Sequence, residues 1–185
     1  MLLTFRIQLS KVTKPPVWRR VTVPDNFSFA RLHYVIQEAF GWMNCHLYQF
    51  SEKGYGSDIF IGEPSEDDWN EVKDSSKIKL SKVFTKKGQR YTYIYDFGDS
   101  WEHIITLEEI EASQTSHADC IAGKGACPPE DFGGPWGFED FKETVNSPKH
   151  PEYEDMREWM GLAEGEQWDA AAFDIEEAKD AVRDV

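Results

Sequence analysis

Cysteine is scarce in this chain: Cys45, Cys120 and Cys127 are the only three in 185 residues. An odd count with no Cys-x-x-Cys spacing excludes a secreted disulfide scaffold and argues against dithiol redox work. Long apolar runs are missing too, and none approaches the roughly 20 residues of a membrane span. Met1–Ser10 (MLLTFRIQLS) has no basic segment ahead of an apolar one and alternates like a strand. No targeting signal is expected there, and the cytoplasm is the expected compartment. Internal repeats and low-complexity tracts are absent. Basic charge is also in short supply, and unevenly so. Residues 96–185 hold 6 Lys and Arg against 24 Asp and Glu, whereas residues 1–95 hold 14 against 10, within a net charge of −14. Duplex phosphates require clustered Lys and Arg, so duplex DNA is disfavoured as a partner. A small basic patch from Arg19, Arg20, Lys82, Lys86, Lys87 and Arg90 is the exception to weigh, and a solvated surface is its simpler explanation.

Aromatic residues, by contrast, make up 14% of the chain, with seven tryptophans. That composition calls for a packed core, and the length suffices to build one without disulfide or metal staples. We expect a single α+β domain over residues 1–185. Residues 1–111 would form an antiparallel-rich mixed sheet with one main helix, and residues 112–185 a Cys/Pro/Gly loop and a helical C-terminal subdomain.

Leu3, Phe5, Ile7 and Leu9 alternate with polar residues, which predicts a half-buried strand. Lys14-Pro15-Pro16 breaks it, and Val17–Val23 resumes β-propensity as its antiparallel partner, with Arg19 and Arg20 expected on an exposed side or edge. Ser28 is a helix cap, Phe29, Leu32, Ile36, Ala39 and Phe40 recur at helical spacing, and Gly41 ends the helix. His46–Phe50 reads as the next strand, giving a β-β-α-β, β-grasp-like opening. Short elements are expected at Asp58–Ile61 and Leu80–Phe84. Three helices are expected after Pro135: one marked by Phe138, Phe141 and Val145, one from Pro151 to Gly161 with Tyr153, Met156, Trp159 and Met160 inward, and one capped by Asp174.

The densest set of chemically capable residues lies in Tyr91–Ile110 (YTYIYDFGDSWEHIITLEEI). Two β-rich runs flank Gly98-Asp99, which suits a two-residue hairpin turn. Asp96 would then face Trp101, and Ile94, Asp96, Trp101, His103 and Ile105 would share one face. A loop one residue longer would instead bring Tyr93 and Tyr95 to the face of Trp101 and His103.

Four kinds of chemistry are open to these residues. His46, His103, Cys120 and Cys127 are candidate metal ligands, with Asp96, Asp99, Glu102, Glu130 and Asp131 as carboxylate donors; Zn, Mn or Mg would suit such a set. The six residues between Cys120 and Cys127 exceed the two to four of common zinc knuckles. His103 as a hydrogen-bonded core histidine and Asp99 as a turn former are the plainer alternatives. Asp96, Asp99, Glu102 and His103 are candidate acid–base groups. Asp96 beside Trp101 could carry a raised pKa, but an Asp that accepts N–H bonds around its own turn is the commoner arrangement. A nucleophilic Cys120 or Cys127 near His117 or His103 is the third case, with Cys45 expected to be buried as a small apolar group. The fourth is recognition: Trp101, Trp136, Glu130 and Asp131 are candidate contact residues. Trp18, Trp42, Tyr91, Tyr93 and Tyr95 are either an aromatic groove or simply core.

Several strings carry a resemblance. They are Arg19–Val23, Phe40-Gly41-Trp42 with His46-Leu47, Tyr95–His103, and Cys127–Asp131 with Gly133-Gly134. Together the sequence resembles the plasmid pRiA4b open-reading-frame-three-like family, also labelled insertion-element passenger TnpR, from about residue 2 to about residue 182. The resemblance implies an α+β fold and, in some members, a link to plasmids and mobile elements, but no particular activity. Many relatives carry a Cys where this chain has Phe132. No Ser/Arg constellation of a serine recombinase is present. The leading expectation is a binding module for an unidentified protein or small molecule, acting through the hairpin tip and the Cys-Pro-Pro-Glu-Asp loop. The alternative is a metal-dependent hydrolase or nuclease using His46, Asp96, Asp99, His103, Glu130 and Asp131, so whether the chain is an enzyme stays open.

Overall fold

Period-two alternation builds the first hairpin. The computed structural model describes all 185 residues. Strand β1 (Leu2–Thr13) buries Leu3, Phe5, Ile7 and Leu9, and β2 (Pro16–Pro24) pairs with it antiparallel. Val17, Arg19, Val21 and Val23 all lie on the buried face of β2. Arg19 is therefore inside, only 3% exposed, and Arg20 lies on the other face against Glu108 at 2.6 Å. The expectation of an exposed arginine edge fails for a second reason. Strand β8 (Asp119–Lys124), hidden in the polar 113–135 stretch, pairs with the far side of β2 and covers it.

Helix α1 (Phe29–Phe40) follows the expected caps. Ser28 Oγ accepts the Arg31 N–H at 3.2 Å, and Gly41, at φ 83°, closes the C-terminus in the left-handed region. Strands β3 (Tyr48–Ser51), β4 (Ile59–Gly62) and β5 (Glu71–Asp74) come next, then β6 (Arg90–Tyr95) and β7 (Trp101–Glu111). A 3₁₀ turn at Leu80–Lys82 precedes β6. The eight strands form one sheet in the order β5-β4-β3-β6-β7-β1-β2-β8, antiparallel throughout except for the parallel pair β4–β5.

The β6–β7 hairpin takes the other of the two registers. Tyr95 pairs with Trp101, Tyr93 with His103 and Tyr91 with Ile105, so residues 96–100 form a five-residue loop. Asp96 and Ser100 both enter the left-handed region, at φ 54° and 56°. The Ser100 N–H closes onto the Asp96 carbonyl at 2.6 Å, and the Gly98 N–H onto Asp96 Oδ1 at 2.9 Å. These bonds satisfy a wide turn that a two-residue count from Gly-Asp misses. Asp96 therefore leaves the ladder and does not face Trp101.

The C-terminal part supplies α2 (Gly134–Thr144), α3 (Tyr153–Trp159) and α4 (Ile175–Arg183). Asp174 caps α4 by accepting the N–H groups of Glu176 and Glu177. Ala178 and Val182 of α4 face inward, and the helix lies against α1 and β8. In α3 Met156, and Met160 just past its end, pack partly buried against the core as expected, but the one buried residue is Arg157, whose guanidinium donates to the carbonyls of Glu166 and Ala163, and Trp159 is 56% exposed. One contiguous core of 33 buried residues runs from Leu3 to Val182 and includes Phe138 and Phe141 from α2 and Val145 at its C-cap.

Candidate functional site

The loop after α1 is fastened from beneath by a closed ring of hydrogen bonds, buried at Tyr93 and part-buried at Asn44. Gln37 Nε2 donates to the Tyr93 hydroxyl at 2.8 Å, and that hydroxyl meets His33 Nδ1 at 2.8 Å. His33 Nε2 meets Asn44 Oδ1 at 2.7 Å, and the Asn44 N–H returns to Gln37 Oε1 at 2.9 Å. The Gln37 amide and the Asn44 N–H are fixed as donors. One assignment of protons then satisfies every link: Tyr93 O–H donates to a neutral His33 Nδ1, and His33 Nε2–H donates to Asn44. The His33 ring stacks on Tyr48 with centroids 3.6 Å apart. Burial lowers its pKa to about 4, partly offset by the bond to Asn44.

This ring holds Asn44 at φ 52° and so sets the course of Cys45 and His46. The Cys45 N–H donates to the Tyr95 hydroxyl at 3.0 Å, and the Leu47 carbonyl accepts the Asp96 N–H at 3.0 Å. Tyr95 O–H in turn donates to Glu130 Oε1 at 3.0 Å, where the Met43 N–H also binds, at 2.7 Å. Burial keeps the Tyr95 phenol well above its ordinary value, so it stays a donor. The 41–47 loop, the hairpin loop and the Cys127–Gly134 segment are thereby joined.

His46 sits where the three segments meet. Its Nε2 lies 3.2 Å from Asp131 Oδ1, 3.7 Å from Asp96 Oδ2 and 3.8 Å from Glu130 Oε2. His46, Asp96 and Asp131 each bring one donor atom within 4.8 Å of the others, and Cys45, His46 and Glu130 do the same. His46 Nε2 and Glu130 Oε2 are both buried and without a hydrogen bond.

Of the expected residues, His46, Asp96, Glu130 and Asp131 converge, and the others do not join them. His103 is wholly buried on β7. Its Nδ1 bonds the Trp101 carbonyl at 3.0 Å, and it packs edge-on against Phe40 and Trp42. Burial lowers its pKa to about 3, so it is a neutral core histidine. Glu102 takes the opposite face of β7, beside Gly54. Asp99 lies at the hairpin tip with its backbone against Gly134. Trp101 is completely buried, which removes it as a contact residue. Cys120 and Cys127 belong to neither donor group and lie instead near Arg19. Burial pushes the Cys120 thiol up to about 11 and raises that of Cys127 further, which is the reverse of what a nucleophile needs. Cys45, expected inside, is exposed beside His46.

The segments that build the cluster also carry exposed apolar side chains. Met43 is 73% exposed, Leu47 60%, Phe97 44% and Trp136 84%. Each belongs to a segment that builds the site. Met43 and Leu47 bond Glu130 and Asp96 through their backbones, Phe97 follows Asp96, and Trp136 stands two residues beyond Gly134.

Sequence reasoning missed His33, Gln37 and Tyr95 as the supports of this site. His33 and Gln37 lie one position after Leu32 and Ile36 on the buried stripe of α1, so helical spacing could have placed them inside as polar groups in need of partners. Arg19, expected at an exposed edge, is buried instead. Its guanidinium donates to the carbonyls of Ala39, Trp18, Lys124 and Gly125, at 2.7 to 3.1 Å, between the rings of Phe40 and Phe173. That takes it out of any basic patch. No helix is long and apolar enough to cross a membrane.

Comparison with known proteins agrees with this fold. Residues 1–177 match the family described as plasmid pRiA4b ORF-3-like protein. Uncharacterized protein y4hQ of Sinorhizobium fredii (strain NBRC 101917 / NGR234) is 37% identical over 174 residues, which are 93% of this chain and 86% of that one. The crystal structure of the protein of unknown function MM3350 from Methanosarcina mazei Go1 superimposes with a TM-score of 0.78 at 34% identity. The match covers 95% of this chain and 96% of that one.

Proposed function

The chain belongs to the plasmid pRiA4b ORF-3-like family, and from that premise we propose that it works as a binding module. Its recognition face is the surface around His46, where the hairpin loop 96–100 meets the Cys127–Gly134 segment. One observation carries the reading: four large exposed apolar side chains, Met43, Leu47, Phe97 and Trp136, belong to or adjoin the same three segments that bring Asp96, Glu130 and Asp131 to His46. Water-exposed apolar groups gathered on one face mark contact surfaces. Asp96, Glu130 and Asp131 set the sign of that face, and the acidic charge of residues 96–185 extends it. The partner that fits is a polypeptide segment with a Lys or Arg flanked by apolar residues.

A peptide array tests this. Basic–apolar peptides should be selected over acidic or purely polar ones, with selection lost in Trp136→Ala and Phe97→Ser. An array without selectivity, or selection unchanged in both variants, overturns the reading.

The hydrolase alternative retains His46, Asp96, Glu130 and Asp131 and loses His103, Glu102 and Asp99. A nuclease is the poorest version of it, because a phosphate backbone would meet an acidic face.

A further inference from the structure

We infer that His46 is the hub of a divalent transition-metal site, with Asp96 and Asp131 as its companion ligands and the bare oxygen of Glu130 at its buried side, and with zinc the best match. This inference stands on its own geometry and does not depend on the partner proposed above. A buried carboxylate is normally saturated by donors, because leaving a charged oxygen bare is costly. Glu130 is 9% exposed and its Oε1 has two donors, yet Oε2 has none and looks toward His46. Asp96 is built the same way: Oδ1 is used by its own turn, through the Gly98 N–H, while Oδ2 is turned to His46. Each acid thus spends one oxygen on holding its loop and presents the other to His46.

The simpler explanation is a protonated His46 acting as counter-ion to three carboxylates. Such a cation would pull at least one oxygen into a charge-assisted hydrogen bond of about 2.8 Å. Instead the three oxygens lie 3.2, 3.7 and 3.8 Å from Nε2, and Nε2 makes no hydrogen bond. Those are spacings at which His46 can share an ion with its neighbours, and the donor atoms that are close to one another fall into two sets sharing His46, one with Asp96 and Asp131 and one with Cys45 and Glu130. Zinc bonds of about 2.0 to 2.1 Å at tetrahedral angles separate neighbouring donors by about 3.3 Å. One imidazole nitrogen with carboxylate oxygens suits Zn²⁺ ahead of Mg²⁺, and the Cys45 thiol close by adds a softer donor. His46 and the three carboxylates around it come from the 41–47 loop, the hairpin loop and the Cys127–Gly134 segment. A bound ion would therefore fasten together the three segments that make the face.

The test is Zn²⁺ titration of chelator-treated, full-length protein by calorimetry, with Mg²⁺ as comparison and the melting temperature followed in parallel. One Zn²⁺ per chain with micromolar or tighter affinity and a raised melting temperature is expected, with Mg²⁺ at least 100-fold weaker. Asp131 is mostly exposed, so Asp131→Asn should fold normally and bind at least 10-fold more weakly. His46→Ala should abolish binding, and His117→Ala, remote from the cluster, should leave it unchanged. Absence of zinc binding in the wild type overturns the inference. So does binding that survives both Asp131→Asn and His46→Ala, since the ion would then sit elsewhere. Failure of the peptide array alongside one tight zinc would overturn the binding-module reading and leave this site standing.

Discussion

Tyr95 and Glu130 are 35 residues apart in sequence, and a single hydrogen bond of 3.0 Å between the phenol and Oε1 ties the central hairpin to the proline-bearing segment. The same hydroxyl accepts the Cys45 N–H. Replacing Tyr95 by Phe keeps the ring against Trp42 but leaves the part-buried Cys45 N–H without its acceptor and Glu130 Oε1 with one donor instead of two. Unfolding by urea should show a loss of about 1–3 kcal/mol. A change below a few tenths would mean that water replaces the hydroxyl and that the three segments are joined some other way.

The ring of bonds through His33 predicts a pH dependence. Protonating Nδ1 would set it as a donor against a Tyr93 hydroxyl that already accepts from Gln37 and has no other acceptor for its own proton. The folded pKa of about 4 lies below the ordinary 6.5, so the unfolded chain binds more protons between those values. Stability is then complete above pH 6.5 and falls as pH drops toward 4, by about 3 kcal/mol from this residue. His103, lowered to about 3, acts in the same direction and extends the loss further down. Urea midpoints at pH 7 and pH 4.5 should differ in the wild type, and His33→Gln should reduce the difference.

Much of this could be read from the residues beforehand, and the errors share a cause. Ser28, Gly41, Asp174 and the alternation of β1 act locally, through bonds that neighbours in the chain provide, so they are legible from spacing. The hairpin register is also local, but its parity depends on how many residues the loop absorbs. Asp96 and Ser100 adopt left-handed conformations that their identities permit without requiring. The shorter loop puts His103 on a face with Asp96, whereas the observed register pairs it with Tyr93 inside the core. His46, Asp96, Glu130 and Asp131 were recognisable as capable groups, but their convergence rests on His33, Gln37 and Tyr95, whose roles appear only once α1 is packed on β6. Arg19 went wrong because its charge was given more weight than the buried alternation of Val17, Val21 and Val23.

That arginine yields the third prediction. It has no carboxylate partner, and four carbonyls from α1, β2, β8 and the turn after β8 receive its protons. Arg19→Met fills part of the volume but strands those carbonyls, and should cost on the order of 3 kcal/mol or more. Arg19→Lys retains charge without the planar fork and should recover less than half of the loss. Full recovery by lysine, measured as the urea midpoint, would show that charge rather than geometry holds this junction.

Gly134 offers a fourth test with an internal control. It sits at φ 70°, and a β-carbon there would strike the Asp99 carbonyl. Gly161 has nearly the same conformation, φ 66°, with nothing within 4 Å of the added carbon. Gly161→Ala should cost only the left-handed penalty, about 1–2 kcal/mol. Gly134→Ala should exceed it and loosen the hairpin tip, seen as faster amide exchange over residues 97–100. Equal costs would mean the two loops separate freely.

Trp136 is the residue on which the recognition face depends most. Its side chain is 84% exposed, so within the folded chain it has little packing to lose. Trp136→Ala should leave the urea midpoint within about 0.5 kcal/mol of wild type, as surface substitutions do. A large aromatic at the centre of a contact surface typically carries about 2 kcal/mol or more of binding free energy. The same variant should therefore weaken a selected basic–apolar peptide by about 30-fold in fluorescence anisotropy. The opposite pattern, destabilisation with unchanged affinity, would make this tryptophan a packing residue and move the contact surface away from His46.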